Sequence, residues 1–413
     1  MIFHYFIAHT SRLRWTVLFG VVLGLHGCTA FAPPERTPKP SASKHMEHTP
    51  SSGPQSAPVT NSVPPPVADT KSAIAAPPPN PYEQGSKALQ NGDYEEAARW
   101  FTQAAEADDR DAQVALGDLY ANGQGLPQDY NEAFNWYRRA ADADFAIAQA
   151  RLGDMYHRGQ GVNADASEAV DWFTRAAQQG LAHAQTQLGH IYLAGQGVRQ
   201  DPEAAHTWLR KAAEQNDPEA AYLLAEAYQE GRGVEASGEE AVKWYTRAAD
   251  GGDPRAEYAL GLLYYTGGAN LPQDFVTALQ WYQRAADKGL ADAQNSLGVI
   301  YAEGKGVPVD LPAAVRWYTA AAEQGHAVSQ ANLATMYRYG LGATLDYIEA
   351  YKWYSIAIAR AADDNVTMKI AAEISRDRLE ERMTPEQVTE AKSRAFAWLD
   401  RHNALAEHDT PAR

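Results

Sequence analysis

Tryptophan recurs along the chain at 100, 136, 172, 208, 244, 281, 317 and 353, every 36 residues with a single step of 37. An alanine precedes each by three residues (97, 133, 169, 205, 241, 278, 314, 350) and another follows by four (104, 140, 176, 212, 248, 285, 321, 357). Offsets of three, four and seven share one face of an α-helix, so each tryptophan marks a helix, here called helix B, with an apolar stripe. From the second unit onward a helix A precedes it. Its core stripe is Leu at 116, 152, 188, 224, 260, 297 and 333, an apolar column at Leu119, Met155, Ile191, Ala227, Leu263, Ile300 and Met336, and Tyr at 120, 156, 192, 228, 264, 301 and 337. Helix A is predicted to stop at glycine 123, 159, 195, 231, 267, 304 or 340, where a left-handed residue closes the last turn. The extra residue of the 37-residue unit falls in the following turn, between Gly267 and Leu271, where an insertion costs least.

After Asp363 the register lapses. A helix is expected from Val366 to Arg382. Thr384-Pro385-Glu386-Gln387 then opens an amphipathic helix to about Trp398 or Leu399, with a cap hydroxyl, a proline at the first helical position and a glutamine reaching back. The expected fold is an all-α solenoid of about eight antiparallel helix pairs, its last open face covered by the C-terminal capping helix.

The pattern Ala-x3-Leu-Gly-x2-Tyr-x2-Gly-x-Gly, followed by Ala-x2-Trp-Tyr-x2-Ala-Ala, resembles the Sel1-like repeat family, a relative of the tetratricopeptide repeats. Residues 111–363 hold seven such copies. Residues 82–110, with the short turn Asn91-Gly92-Asp93-Tyr94, look more like a tetratricopeptide unit and start the stack, and 364–402 form the closing helices before a tail at 403–413. The resemblance implies a binding scaffold with helix A lining the ligand wall. Positions two before, two after and five after the core leucine vary there. In the middle repeats they are Tyr222, Glu226 and Gln229, then Tyr258, Leu262 and Tyr265, a candidate groove for a peptide or a sugar polymer, given exposed rings beside carboxylates.

The N-terminus changes the setting. Arg12 and Arg14 precede an apolar run from Trp15 to Leu25, and Leu25-His26-Gly27-Cys28 resembles a bacterial lipobox with His26 in place of the usual small residue. Residues 1–27 are read as a signal peptide cut after Gly27, with Cys28 acylated as a lasting anchor. Thr29 after the cysteine implies the outer membrane. From Thr29 to Pro81 lie 14 of the 23 prolines, a composition that buries too little apolar surface to fold, so residues 28–81 are read as a disordered tether. The folded part is expected in the periplasm or at the cell surface.

A formal charge of −16 disfavours nucleic acid as a partner. The single cysteine rules out an internal disulfide, leaving packing to hold the array. Histidines 157, 183, 190 and 206 share no ligand spacing, the Gly-x-Gly steps follow helices rather than strands, and no serine sits in a nucleophile elbow; no metal, cofactor or catalytic residue is expected. The cysteine pairs of relatives linked to β-lactam hydrolysis are missing. A basic ladder, Arg139, Arg175, Lys211, Arg247 and Arg284, is read as serving the negative ends of the B helices. The leading reading is a non-enzymatic scaffold that binds protein partners in an envelope assembly. The alternatives are an export lipoprotein for an alginate-type exopolysaccharide, a surface protein binding a host factor, and a β-lactam or peptidoglycan-processing enzyme.

Overall fold

The computed structural model describes residues 3–6, 18–21, 80–268, 270–361 and 365–408. One compact unit comprises Met1–Val21 and Asn80–Arg413; the other, Val22–Pro79, lies outside the described residues, as do Gly27, Cys28 and the tether up to residue 79. Within the leader, two short strands not expected from the sequence, β1 (Phe3–Phe6) and β2 (Leu18–Val21), pair antiparallel with Phe3 opposite Val21. No described helix is long and apolar enough to cross a membrane.

Sixteen helices form eight A–B pairs. The A helices are α1 (Pro81–Gln90), α3 (Arg110–Asn122), α5 (Ala146–Arg158), α7 (Ala182–Ala194), α9 (Pro218–Glu230), α11 (Pro254–Thr266), α13 (Ala291–Glu303) and α15 (Ala327–Tyr339). The B helices are α2 (Tyr94–Glu106), α4 (Tyr130–Asp142), α6 (Ala166–Gln178), α8 (Pro202–Glu214), α10 (Gly238–Asp250), α12 (Phe275–Asp287), α14 (Leu311–Glu323) and α16 (Tyr347–Arg360). Each packs on the helix before it and the helix after it, which makes the array a solenoid.

Local chemistry fixes both ends of each element. Every helix B starts on a side chain that accepts from a first-turn amide: Asp93, Asp129, Asp165, Asp201, Ser237, Asp274, Asp310 and Asp346. From α3 onward helix A ends, as expected, on its glycine at φ +66 to +71°, whereas α1 ends on Asn91 at φ −81°. The second glycine of the turn has a separate task. A Cβ on Gly233 would lie 2.2 Å from the Pro202 carbonyl oxygen, so this turn rests on the first residues of the preceding helix B, a spacing only glycine permits. In the 37-residue unit Asn270 takes that place at φ +68°, a conformation asparagine tolerates better than most residues.

The alanine columns around tryptophan and the leucine column of helix A are buried in every unit, at most 3% exposed. The tryptophans themselves are less uniform than expected. Trp172, Trp244 and Trp353 are buried and the other five only half-buried. The plug of each unit is instead the next residue, Phe101, Tyr137, Phe173, Leu209, Tyr245, Tyr282, Tyr318 or Tyr354, none more than 5% exposed. It sits on the small residue after the core leucine: a Cβ on Gly261 would come within 2.5 Å of the Tyr282 ring, and one on Gly117 within 2.5 Å of Tyr137. The basic ladder covers the half-exposed indoles, with Lys211 4.2 Å from the Trp208 ring and Arg284 4.5 Å from that of Trp281. Its tips reach the end of the preceding helix B, Arg139 to Asp108 and Arg247 to the Glu214 carbonyl oxygen at 3.2 Å.

Buried amides tie the units together. Gln113, Gln149, Gln185, Gln294 and Gln330 each donate to a last-turn carbonyl of the preceding helix B at 3.0–3.5 Å. At 149, 185 and 294 the glutamine oxygen also accepts from Gln179, Gln215 or Gln324, at the end of helix B of the same unit, at 2.7–2.8 Å. In α11 the same two places hold Glu257 and Lys288. Glu257 is 0% exposed, its Oε1 accepts from Arg284 at 2.9 Å, and its Oε2 faces Lys288 Nζ at 3.1 Å as an ion pair without a well-aligned hydrogen bond.

Past the repeats come α17 (Val366–Glu380) and α18 (Pro385–His408), both docked on α16. The reciprocal cap is in place: Thr384 N donates to Gln387 Oε1 at 2.9 Å and Gln387 N to Thr384 Oγ1 at 3.3 Å. Trp398 lies edge-on to Trp353, 5.9 Å between centroids, and its indole donates to Glu323 at 2.8 Å, so α18 seals the last repeat as expected but runs to His408 rather than ending near Leu399.

Candidate functional site

Residues identical in every unit are used up by the stack, so a partner must read those that change and stay accessible. On helix A the residue after the plug-bearing small residue meets both conditions. It is Asp118 in α3, Asp154 in α5, His190 in α7, Glu226 in α9, Leu262 in α11, Val299 in α13 and Thr335 in α15, each half-buried.

Of the six groove residues predicted, Glu226 and Leu262 belong to this row. The other four turn toward the plug of their own repeat. Tyr258 and Tyr265, expected to be exposed, are 7% and 3% exposed. They stand three before and four after Gly261, the same helical face on which Tyr282 sits, and close over its ring at 5.6 and 6.3 Å. Lys305 donates to the Tyr265 hydroxyl at 2.8 Å. Tyr222 and Gln229 flank Ala225 in the same way: Tyr222 meets the Tyr245 ring edge-on at 5.5 Å, and the Tyr245 hydroxyl donates to Gln229 at 2.9 Å. Tyr222 keeps one half-exposed edge, with the Arg255 guanidinium 4.7 Å above it. Burial, then the nearby Glu226 carboxylate, holds its phenol well above the usual range, so it stays a neutral donor. The four pack around the plug of their own repeat, and sequence variation there signals packing.

The row carries a gradient of character. In the first half, pairs join successive A helices: Arg151 Nε to Asp118 at 2.9 Å, His183 Nε2 to Asp154 at 3.1 Å and His190 Nε2 to Glu219 at 3.1 Å. Asp118 also accepts from the Tyr137 hydroxyl at 2.7 Å, tying the surface to the plug beneath. The hydrogen bond that His183 donates to Asp154, ahead of opposing burial, raises the His183 pKa. From α11 onward the row turns to leucine, valine and threonine. A ligand lying along the A helices would therefore meet alternating charges first and apolar or neutral groups afterwards.

One set of side chains has the composition of a hydrolytic triad. His326 Nδ1 is 2.8 Å from Ser329 Oγ, and its Nε2 is 3.3 Å from Asp292. Ser329 is 0% exposed, however, its hydroxyl lies 2.9 Å from Asn295 Oδ1, and the histidine accepts from the Ser329 amide as the N-cap of α15. With its oxygen sealed from any substrate, the group caps a helix. Among the described residues no group of three or more histidine, cysteine, aspartate or glutamate side chains could hold a metal ion.

A stack of plugged helix pairs with glycine-closed turns defines a helix-repeat solenoid. The Sel1 repeat matches this chain eight times, at residues 82–109, 110–145, 146–181, 182–217, 218–253, 254–290, 291–326 and 327–361, so the protein belongs to the Sel1 repeat family, the tetratricopeptide-like first unit included. Its structure is similar to that of a Sel1 repeat protein from Oxalobacter formigenes, 37% identical, with a TM-score of 0.57 over 70% of this chain and 84% of that one. A protective antigen of uropathogenic Escherichia coli with the same repeat fold is 25% identical over 81% of this chain and 87% of its own, with a TM-score of 0.39. No curated protein gave a significant match. Proteins of this fold typically act as scaffolds for protein–protein interaction.

Proposed function

We propose that the chain is a non-enzymatic scaffold held in the bacterial outer membrane by lipid on Cys28, and that it gathers protein partners of an envelope assembly along its A helices. The observation that supports binding is the row Asp118, Asp154, His190, Glu226, Leu262, Val299 and Thr335: accessible, filled by six residue types over seven repeats, and polar and mostly acidic at one end while apolar or neutral at the other. Unlike the equally variable Tyr258 and Tyr265, which are buried around a plug, every member of this row stays partly exposed. The anchor is supported by the Leu25-His26-Gly27-Cys28 segment and the proline-rich stretch behind it.

The test has two arms. Palmitate labelling and membrane fractionation should both be lost in Cys28→Ser; a wild-type chain that is unlabelled and soluble refutes the anchor. A photo-crosslinking residue at Leu262 or His190 should capture partners in intact cells, whereas one at Arg210 or Asp287, exposed on the B helices, should not. Equal capture from both faces refutes the assigned surface.

A further inference from the structure

Helix α17 has two apolar faces. Met368, Ala372 and Leu379 are buried in the cluster that closes the last repeat. On the opposite side, Val366, Ile370 and Ile374 form a stripe four residues apart that is 53%, 49% and 48% exposed. Exposed apolar residues scattered singly need no explanation, but three in register on one short helix present roughly 300 Å² of continuous apolar surface, the scale of a contact site. Because α18 docks on α16, it leaves this stripe open.

We propose that the occupant is a second copy of the chain, the two α17 helices packing antiparallel about a two-fold axis through Ile370. The stripe is its own complement under that operation: Val366 meets the partner's Ile374, and Ile370 meets its equivalent. The flank agrees. Lys369 and Glu373 lie along one edge of the stripe, one turn apart and centred within one residue of Ile370, so the antiparallel arrangement sets each Lys369 about half a turn from the partner's Glu373, within reach of both long side chains, twice over. The helix ends agree as well. Asn365 gives the α17 N-terminus no side-chain cap, and Asp377, exposed one turn past Ile374, comes over that N-terminus in the partner, where a carboxylate is favoured. A parallel arrangement would bring Lys369 near its own like and leave both N-termini together.

An interface of this size is small, so the dissociation constant should be on the order of 10 to 100 µM. Sedimentation velocity of the full chain in detergent solution, over a concentration series, should show a monomer–dimer equilibrium that Ile370→Glu abolishes. Lys369→Glu and Glu373→Lys should each weaken the dimer about fivefold or more by placing like charges together, and the double exchange should restore it, since the pairs are then reversed. All three side chains point away from the core, so thermal melts should stay unchanged and separate lost association from lost folding. A chain that is monomeric throughout, a dimer that survives Ile370→Glu, or a double exchange no better than the single variants would overturn the proposal.

Discussion

Converting the Glu257–Lys288 pair to the glutamine pair used elsewhere in the same molecule measures what clasps helix A to the end of helix B within one repeat. Glu257 is fully buried and compensated by Arg284 at 2.9 Å and Lys288 at 3.1 Å, both cations reaching water along much of their length. Lys288→Gln exchanges the second cation for a neutral amide donor and leaves a fully buried carboxylate with Arg284 as its one cation; the cost should be about 1–3 kcal/mol, that of a buried charge less than fully compensated. Glu257→Gln leaves two cations that can turn to solvent, and should cost about 1 kcal/mol. The double variant recreates the geometry of Gln149–Gln179, Gln185–Gln215 and Gln294–Gln324, where amide meets amide at 2.7–2.8 Å. Replacing a buried ion pair by well-fitted neutral groups is often neutral or favourable, so the double variant should fall within about 0.5 kcal/mol of the parent, a coupling of roughly 2–4 kcal/mol. Urea unfolding of all four proteins, followed by helical circular dichroism, gives the cycle. Additive effects, or a double variant worse than either single one, would refute the idea that these two positions form one interchangeable clasp.

Two further predictions rest on different parts of the array. Gly252 and Gly233 both have positive φ, but only Gly233 has backbone where a Cβ would go; Gly252→Ala should cost about 1–2 kcal/mol from conformation alone, and Gly233→Ala clearly more, with amide exchange accelerated at the α8–α9 junction. Equal destabilisation would remove the second glycine's role in stacking. The His183 imidazole is raised above its ordinary value in the folded state, so what its pairing adds is complete below the unfolded value of about pH 6.5 and is lost as pH climbs through the raised one. The stability gap between wild type and His183→Gln should therefore be widest near pH 5.5 and close by about pH 8.5; a gap that widens with pH would contradict the Asp154 pairing.

Period explains why so much of this fold is legible before any coordinates. The Ala-x2-Trp-x3-Ala frame, the Leu column and the glycine that ends helix A report local requirements, helical face and left-handed turn, that recur unchanged, and all reappear where the spacing put them. The aspartates that cap helix B and the glutamines that tie units together are also periodic, but their task depends on a group in the neighbouring unit, so the spacing alone does not say what they do. Tyr258 and Tyr265 mark the harder limit. Variation between repeats singled them out as ligand contacts, whereas they wrap Tyr282 because a large plug on Gly261 leaves room on both sides of that glycine for another ring. In α3 and α5 Val114 and Ala150 stand at the place of Tyr258, so the same position is packed by residues of very different size. A position can vary because the local packing problem varies, and a solenoid solves that problem anew in each unit. The informative residues for binding are those that vary and stay accessible, which leaves the row from Asp118 to Thr335 and, at the end of the stack, the stripe on α17.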